Sequence, residues 1–217
     1  MGKIICAGLG PGDPELMSVK ADRLVRSASH VAYFRKAGRA GQARQIVEGM
    51  LAPGVTEYPM EYPVTTEIPF CDPEYNRVLA AFYDDWASRL ATLAETESVL
   101  VLCEGDPFFY GSFMHLYARL QGQPITWGDD VLTVLMATLP EEELAARARD
   151  ADALVVMKIG RNLPKLRRAL AKAGRLGAAW LIERGTMPGQ SVQLLTEAEA
   201  AAPYFSIVVV HGHGRRP

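Results

Sequence analysis

Two turns of the same kind constrain this chain most. Gly8-Leu9-Gly10-Pro11-Gly12-Asp13-Pro14 follows the apolar run Ile4–Ala7. Glu104-Gly105-Asp106-Pro107-Phe108-Phe109-Tyr110-Gly111-Ser112 follows the apolar run Val99–Cys103. Each run reads as a short buried strand, and each turn leads into helical spacing. Gly, Asp and Pro punctuate a chain because they supply left-handed backbone, local side-chain hydrogen bonds and a fixed φ. Open α/β sheets hold small ligands at such carboxyl-end turns. The pair therefore points to an enzyme of the α/β class.

The surrounding pattern supports that class. His30–Phe34 predicts a second strand, and Ser18–Ser27 a helix with Val19, Leu24 and Val25 on its apolar side. Gln42–Met50 predicts a short helix. Tyr58–Phe70 holds Pro59, Pro63 and Pro69 and predicts mostly loop. Asp72-Pro73 begins a long helix to about Ala94, with Asp72 as N-cap and Pro73 in the first turn. Ser112–Leu120 predicts the helix after the second turn. Strands alternating with helices imply a parallel, doubly wound sheet.

A boundary is expected near Gln121-Gly122-Gln123-Pro124, giving domains at 1–122 and 123–217. Beyond it, Trp127-Gly128-Asp129-Asp130 opens the second domain. Strands are predicted at Val131–Met136, Leu154–Met157, Ala178–Ile182, Ser191–Leu195 and Ile207–Val210. Helices are predicted at Glu141–Arg149 and Leu163–Ala173. The closely spaced final strands imply antiparallel pairing, so this second, smaller α/β domain should carry a mixed sheet.

Bulk properties exclude several functions. A net charge of -2 offers no basic field for nucleic acid. No apolar run approaches the roughly 20 residues that span a bilayer. The three cysteines, Cys6, Cys71 and Cys103, lack the spacing of a disulfide framework or a zinc site. Cys6 and Cys103 read as buried strand residues, as do His30 and His115 as structural ones. His211 and His213 lack the further ligands a metal needs. A cytoplasmic enzyme without a metal is expected.

The Gly-rich turn is no dinucleotide fingerprint, because Asp13 stands where G-x-G-x-x-G needs its last glycine. There a carboxylate would face a pyrophosphate that wants bare N–H groups. That disfavours a nicotinamide dehydrogenase. No P-loop and no G-x-S-x-G elbow occur. A cationic ligand without phosphates suits acidic turns better, and S-adenosylmethionine is one. Methyl transfer depends mainly on positioning, so it needs no obvious triad.

The residues GLGPGDPEL (Gly8–Leu16), LCEGDPFFYGS (Leu102–Ser112), TWGDDVLTVLMATLP (Thr126–Pro140), VVMKIGRNLPKL (Val155–Leu166) and IERGTMPGQ (Ile182–Gln190) resemble the tetrapyrrole (corrin/porphyrin) S-adenosylmethionine-dependent methyltransferases. Glu104 before Gly-Asp-Pro, the M-K-x-G-R-N stretch and the E-R-x-T-M-P-G stretch are similar to the C20-methylating branch of cobalamin biosynthesis. The resemblance implies two α/β domains with a cofactor cleft between them, usually in a homodimer. It implies methylation of the C20 meso carbon of precorrin-2, giving precorrin-3A; the related anaerobic enzyme uses cobalt-factor II instead. A protein or RNA methyltransferase of the same fold is the alternative substrate class, and a regulatory module that keeps the fold is a third reading.

The resemblance also implies site residues. Leu9, Pro11, Gly105, Asp106 and Phe109 would contact the cofactor from the first domain. Met157, Arg184 and Gly185 would do so from the second. Glu104 and Tyr110 are the candidates for catalysis, and no family-wide base carries over. Tyr110, Lys158 and Arg161 are candidates for substrate binding; with Arg35 and Arg184 the two basic residues could meet precorrin-2's carboxylates. One departure stands out: family members carry a Pro-Gly-containing connector where this chain runs straight through Gln121-Gly122.

Overall fold

The computed structural model describes residues 2–65, 67–69, 72–109, 111–120, 130–199 and 201–212. The chain divides into two compact units, Met1–Pro124 with Arg216–Pro217, and Ile125–Arg215. The boundary expected at 122/123, the short Gln121-Gly122 link and Trp127-Gly128-Asp129 lie outside the described residues, as do Tyr110, Cys71 and His213.

Unit 1 is built on a four-stranded parallel sheet in the order β1-β4-β2-β3. Its strands are β1 (Ile4–Gly8), β2 (His30–Lys36), β3 (Thr56–Tyr62) and β4 (Val99–Cys103). Every residue of β4 is buried, as expected of a central parallel strand covered on both faces. Helices α1 (Val19–Ser27) and α2 (Gln42–Ile46) pack on one face through Ala21, Val25, Ala43 and Val47. Helices α3 (Pro73–Leu93) and α4 (Phe113–Leu120) cover the other through Leu79, Tyr83, Leu90, Phe113 and Leu116. The doubly wound arrangement is thus present.

Local chemistry sets the helix starts. Ser18 Oγ accepts from the Ala21 N–H at 3.2 Å to cap α1, and Asp72 Oδ1 accepts from the Glu74 N–H at 2.8 Å to cap α3. Each such cap is worth about 1 kcal/mol. Pro73 at the first turn of α3 gives up an N–H that would have no helical partner anyway.

Two expectations need correction. Thr56–Tyr62 is a strand rather than loop. Pro59 is tolerated because β3 lies at the sheet's edge, where a missing N–H leaves no broken ladder on its outer side. Helix α2 ends at Ile46 rather than Met50. The chain beyond it closes in three-residue turns, with Glu48 N–H to Gln45 O at 3.1 Å and Met50 N–H to Val47 O at 3.0 Å.

Unit 2 carries a five-stranded mixed sheet in the order β5-β6-β9-β7-β8. The strands are β5 (Leu132–Met136), β6 (Ala153–Met157), β7 (Ala179–Glu183), β8 (Ser191–Leu194) and β9 (Ser206–Val210). Only β5 and β6 run parallel; the β6–β9, β7–β9 and β7–β8 pairs are antiparallel. Helices α5 (Glu141–Asp150) and α6 (Leu163–Lys172) share one core with Leu135, Leu154, Val156, Leu181 and Val208. Strand side chains alternate between faces, so Val134, Met136 and Val192 point away from that core. They are exposed.

The buried Arg175 ties unit 2 together. Its Nη1 donates to the Ala151 carbonyl at 2.6 Å, and its Nη2 donates to the carbonyls of Asp152 at 2.7 Å and His211 at 3.2 Å. One guanidinium thereby satisfies carbonyls after α5 and after β9. Among the described residues no helix is long and apolar enough to cross a membrane.

Candidate active site

The first group of candidate residues sits in unit 1 at the carboxyl ends of neighbouring strands. Gly8 of β1 pairs with Cys103 of β4. The chain then leaves β1 toward α1 on one face and leaves β4 toward α4 on the other. A crevice opens where connections diverge in this way, and it is the usual ligand position of an open α/β sheet.

Backbone hydrogen bonds join the two turns. Leu9 N–H donates to the Cys103 carbonyl at 2.9 Å, and Gly105 N–H donates to the Gly10 carbonyl at 2.9 Å. Two of the glycines are dictated by geometry. A Cβ on Gly8 would lie 2.7 Å from the Gly105 carbonyl oxygen and 2.9 Å from Pro107 Cδ. Gly105 has φ +67°, and no described heavy atom lies within 4 Å of where its Cβ would be. Bare backbone there borders open space, so a ligand can come close to it.

The acidic residues of the turns have local partners. Asp106 Oδ1 accepts from the Phe108 N–H at 2.8 Å, and Asp13 Oδ1 accepts from the Glu15 N–H at 2.9 Å. Both carboxylates shape their own turns. Glu104, Pro11 and Phe109 are exposed at this edge, whereas the Leu9 side chain is wholly buried in the core. Leu9 therefore offers a ligand only its backbone. Arg35, at the carboxyl end of β2, is paired with Glu61 at 2.5 Å. Beneath the turns, Cys6 and Cys103 are free thiols, and burial pushes the Cys6 thiol far above its ordinary range.

Histidines away from the turns are structural. His30 Nδ1 lies 2.9 Å from the Tyr58 hydroxyl. The His115 ring stacks on Tyr83 at 4.6 Å, and burial, with Arg119's charge second, lowers its pKa to about 4.

The second group lines a cavity of about 720 Å³ in unit 2. Met157, Lys158, Arg161 and Gly185 all border it, together with Tyr204 and Phe205. The structure thus gathers candidates named for cofactor and candidates named for substrate into one place. Its volume suits a small-molecule site. Lys158 Nζ lies 5.8 Å from the centre of the Tyr204 ring, a cation–π distance.

The backbone around this cavity is strained. Lys158 (φ +57°), Arg184 (φ +47°) and Thr186 (φ +65°) are the non-glycine residues of left-handed conformation among those described. For a β-branched residue such as Thr186 this is a marked departure, costing on the order of 1–3 kcal/mol. Neighbouring bonds over-determine it. Arg184 N–H donates to the Phe205 carbonyl at 2.7 Å, Met187 N–H to the Arg184 carbonyl at 2.8 Å, and Thr186 N–H to Gln190 Oε1 at 2.5 Å. Strain held in this way gathers at ligand sites. Spacing alone did not reveal Thr186, Tyr204 or Phe205, because a left-handed φ and a distant strand's approach leave no pattern in composition.

The fold is that of an α/β protein of two units, one with a parallel sheet and one with a mixed sheet, each with candidate ligand-facing residues at strand ends. The tetrapyrrole (corrin/porphyrin) methylases match residues 3–123 and 120–201, and this chain belongs to that family. The two matched stretches overlap at 120–123. A precorrin-2 C(20)-methyltransferase from Sinorhizobium sp is 47% identical over 240 aligned positions, covering 100% of this chain and 98% of its own length. A cobalt-precorrin-2 C(20)-methyltransferase from Salmonella typhimurium is 25% identical, covering 97% of this chain and 96% of its own length. An S-adenosyl-L-methionine-dependent uroporphyrinogen III methyltransferase from Methanosarcina barkeri is 32% identical over 51% of this chain and 36% of its own length.

Proposed function

We propose that this chain transfers the methyl group of S-adenosylmethionine to the C20 meso carbon of precorrin-2, giving precorrin-3A in cobalamin biosynthesis. The observation that carries this reading is the 47% identity, along the whole chain, to the Sinorhizobium precorrin-2 C(20)-methyltransferase. The metal-free substrate is favoured over cobalt-factor II because identity to the cobalt-precorrin-2 enzyme is much lower, at 25%. No feature favours a protein or RNA target.

The site chemistry is compatible with the reading. When bound, the donor supplies a methyl group on a positively charged sulfur. The turns of unit 1 offer open backbone at Gly105 and the carboxylates of Glu104 and Asp106, which suit a cation. Leu9, Pro11, Gly105, Asp106 and Phe109 are the candidates for holding the donor in unit 1, and Met157, Arg184 and Gly185 are the candidates in unit 2. Lys158 and Arg161 attract substrate carboxylates, and Glu104 and Tyr110 are the candidates for a catalytic role. The electron-rich C20 carbon attacks the methyl, the carbon–sulfur bond breaks, and the C20 proton leaves afterwards. Positioning and exclusion of water supply the rate enhancement.

The reading extends to a cytoplasmic homodimer. The exposed apolar side chains Val134, Met136 and Val192, on the sheet face opposite α5 and α6, support self-association. Calorimetric titration with S-adenosylhomocysteine tests the donor site: micromolar binding is expected, and no binding at millimolar concentration would refute it.

A further inference from the structure

Unit 1 contains a hydroxyl pair that none of the roles above uses. Ser112, the residue before α4, closes the segment that begins at Glu104. A serine at that position ordinarily turns its hydroxyl toward its own helix. Here Oγ is hydrogen-bonded to the hydroxyl of Tyr62, fifty residues away at the end of β3. Tyr83, from α3, packs near this pair, its ring 5.2 Å from that of Phe82, which in turn meets the Tyr62 ring. The end of β3 is thus tied to the residue that precedes α4.

The pair is rigidly framed. The Tyr62 ring stacks on Phe34 at 5.5 Å with an interplanar angle of 13°, and it meets Phe82 at 5.4 Å. The Tyr83 ring stacks on His115 at 4.6 Å and lies 5.5 Å from the Arg119 guanidinium. Arg119 is itself fixed by Asp84 at 2.5 Å. The neighbouring Gly111 is just as confined: a Cβ there would lie 3.1 Å from both Cys103 Sγ and the Pro107 carbonyl oxygen. The far end of the turn after β4 is therefore clamped, while its near end is fastened through Gly105 to Gly10. Burial pushes the pKa of the Tyr62 phenol well above its ordinary value, so it stays neutral.

We propose that Tyr62 is a positioning residue for methyl transfer, acting through Ser112 to set the shape of the turn that carries Glu104, Asp106 and Phe109. The inference rests on the proposed methyltransferase reading. A turn fastened at both ends keeps its ligand-facing backbone in one conformation, and small displacements of such groups are costly: an offset of about 1 Å can cost a hundredfold in rate. Tyr62 does not touch the reacting atoms on this account.

The test compares Tyr62→Phe, Ser112→Ala and the double variant with the unaltered protein. Melting temperature, S-adenosylhomocysteine affinity, and kcat and KM for precorrin-2 methylation are measured. Tyr62→Phe keeps the ring and its stacking, so it should melt within a few degrees of the parent. Its kcat should fall about tenfold or more, with KM for precorrin-2 little changed. The double variant should be no worse than the poorer single one, because both remove the same bond. Parental kcat in both single variants, or losses that multiply in the double variant, would overturn the inference while leaving the methyltransferase reading intact. Absence of methyl transfer by the unaltered protein would instead sink that reading.

Discussion

Replacing Gly8 with alanine asks whether the two ligand turns depend on close contact. The added Cβ would lie 2.7 Å from the Gly105 carbonyl oxygen and 2.9 Å from Pro107 Cδ. An oxygen–carbon pair needs roughly half an ångström more, and the obstruction is backbone and a proline ring, so no rotamer change relieves it. Overpacking of this kind costs about 1–3 kcal/mol. Moving the Gly105 turn also stretches the Gly105–Gly10 hydrogen bond of 2.9 Å, worth about 0.5–1.5 kcal/mol. Together these predict a loss of about 2–4 kcal/mol. In unit 1 that corresponds to a drop in melting temperature of roughly 6–12 °C. Circular dichroism melts of Gly8→Ala beside Gly177→Ala provide the assay. Gly177 has no described atom within 4 Å of its would-be Cβ and no left-handed φ, so alanine there should be neutral or stabilise by up to about 1 kcal/mol. Equal melting temperatures for the two variants would refute the close-contact reasoning.

Asp106→Ala should weaken S-adenosylhomocysteine binding by about 1–3 kcal/mol in calorimetry, whereas Asp106→Asn, which keeps an Oδ1 acceptor for Phe108, should retain most of the affinity. Arg175→Met should destabilise unit 2 by about 3 kcal/mol, read from the urea midpoint, because it orphans the carbonyls of Ala151, Asp152 and His211. His115 should make stability fall as pH drops. The unfolded chain takes up its proton near the ordinary value of 6.5, whereas the folded chain resists until about 4. The stability lost across that window is at most about 3 kcal/mol. His115→Gln should flatten this part of a urea-midpoint profile, and an unchanged slope would count against burial as the cause.

What could be read from residues alone was mostly local. The apolar runs at Ile4–Ala7 and Val99–Cys103, the capping residues Ser18 and Asp72, and the Gly-Asp-Pro turns each carry their instruction within a few positions. Thr56–Tyr62 was hidden because Pro59 argues against a strand unless its edge position in the sheet is known. The same holds for the site. Lys158, Arg161 and Gly185 stand near recognisable motifs, and the cavity of unit 2 brings them together. The strain at Thr186 and the meeting of Tyr62 and Ser112 depend on contacts between distant elements, so no spacing rule could show them. Asp106 was legible as a turn residue, and its bond to Phe108 bears that part out.

The central claim is tested most directly by incubating the purified protein with precorrin-2 and S-adenosylmethionine carrying a ¹³C-labelled methyl group, then locating the label by NMR. A single labelled methyl at C20, formed with an equal amount of S-adenosylhomocysteine, is the predicted result. Label at another carbon, or no transfer from a donor that binds, would contradict it.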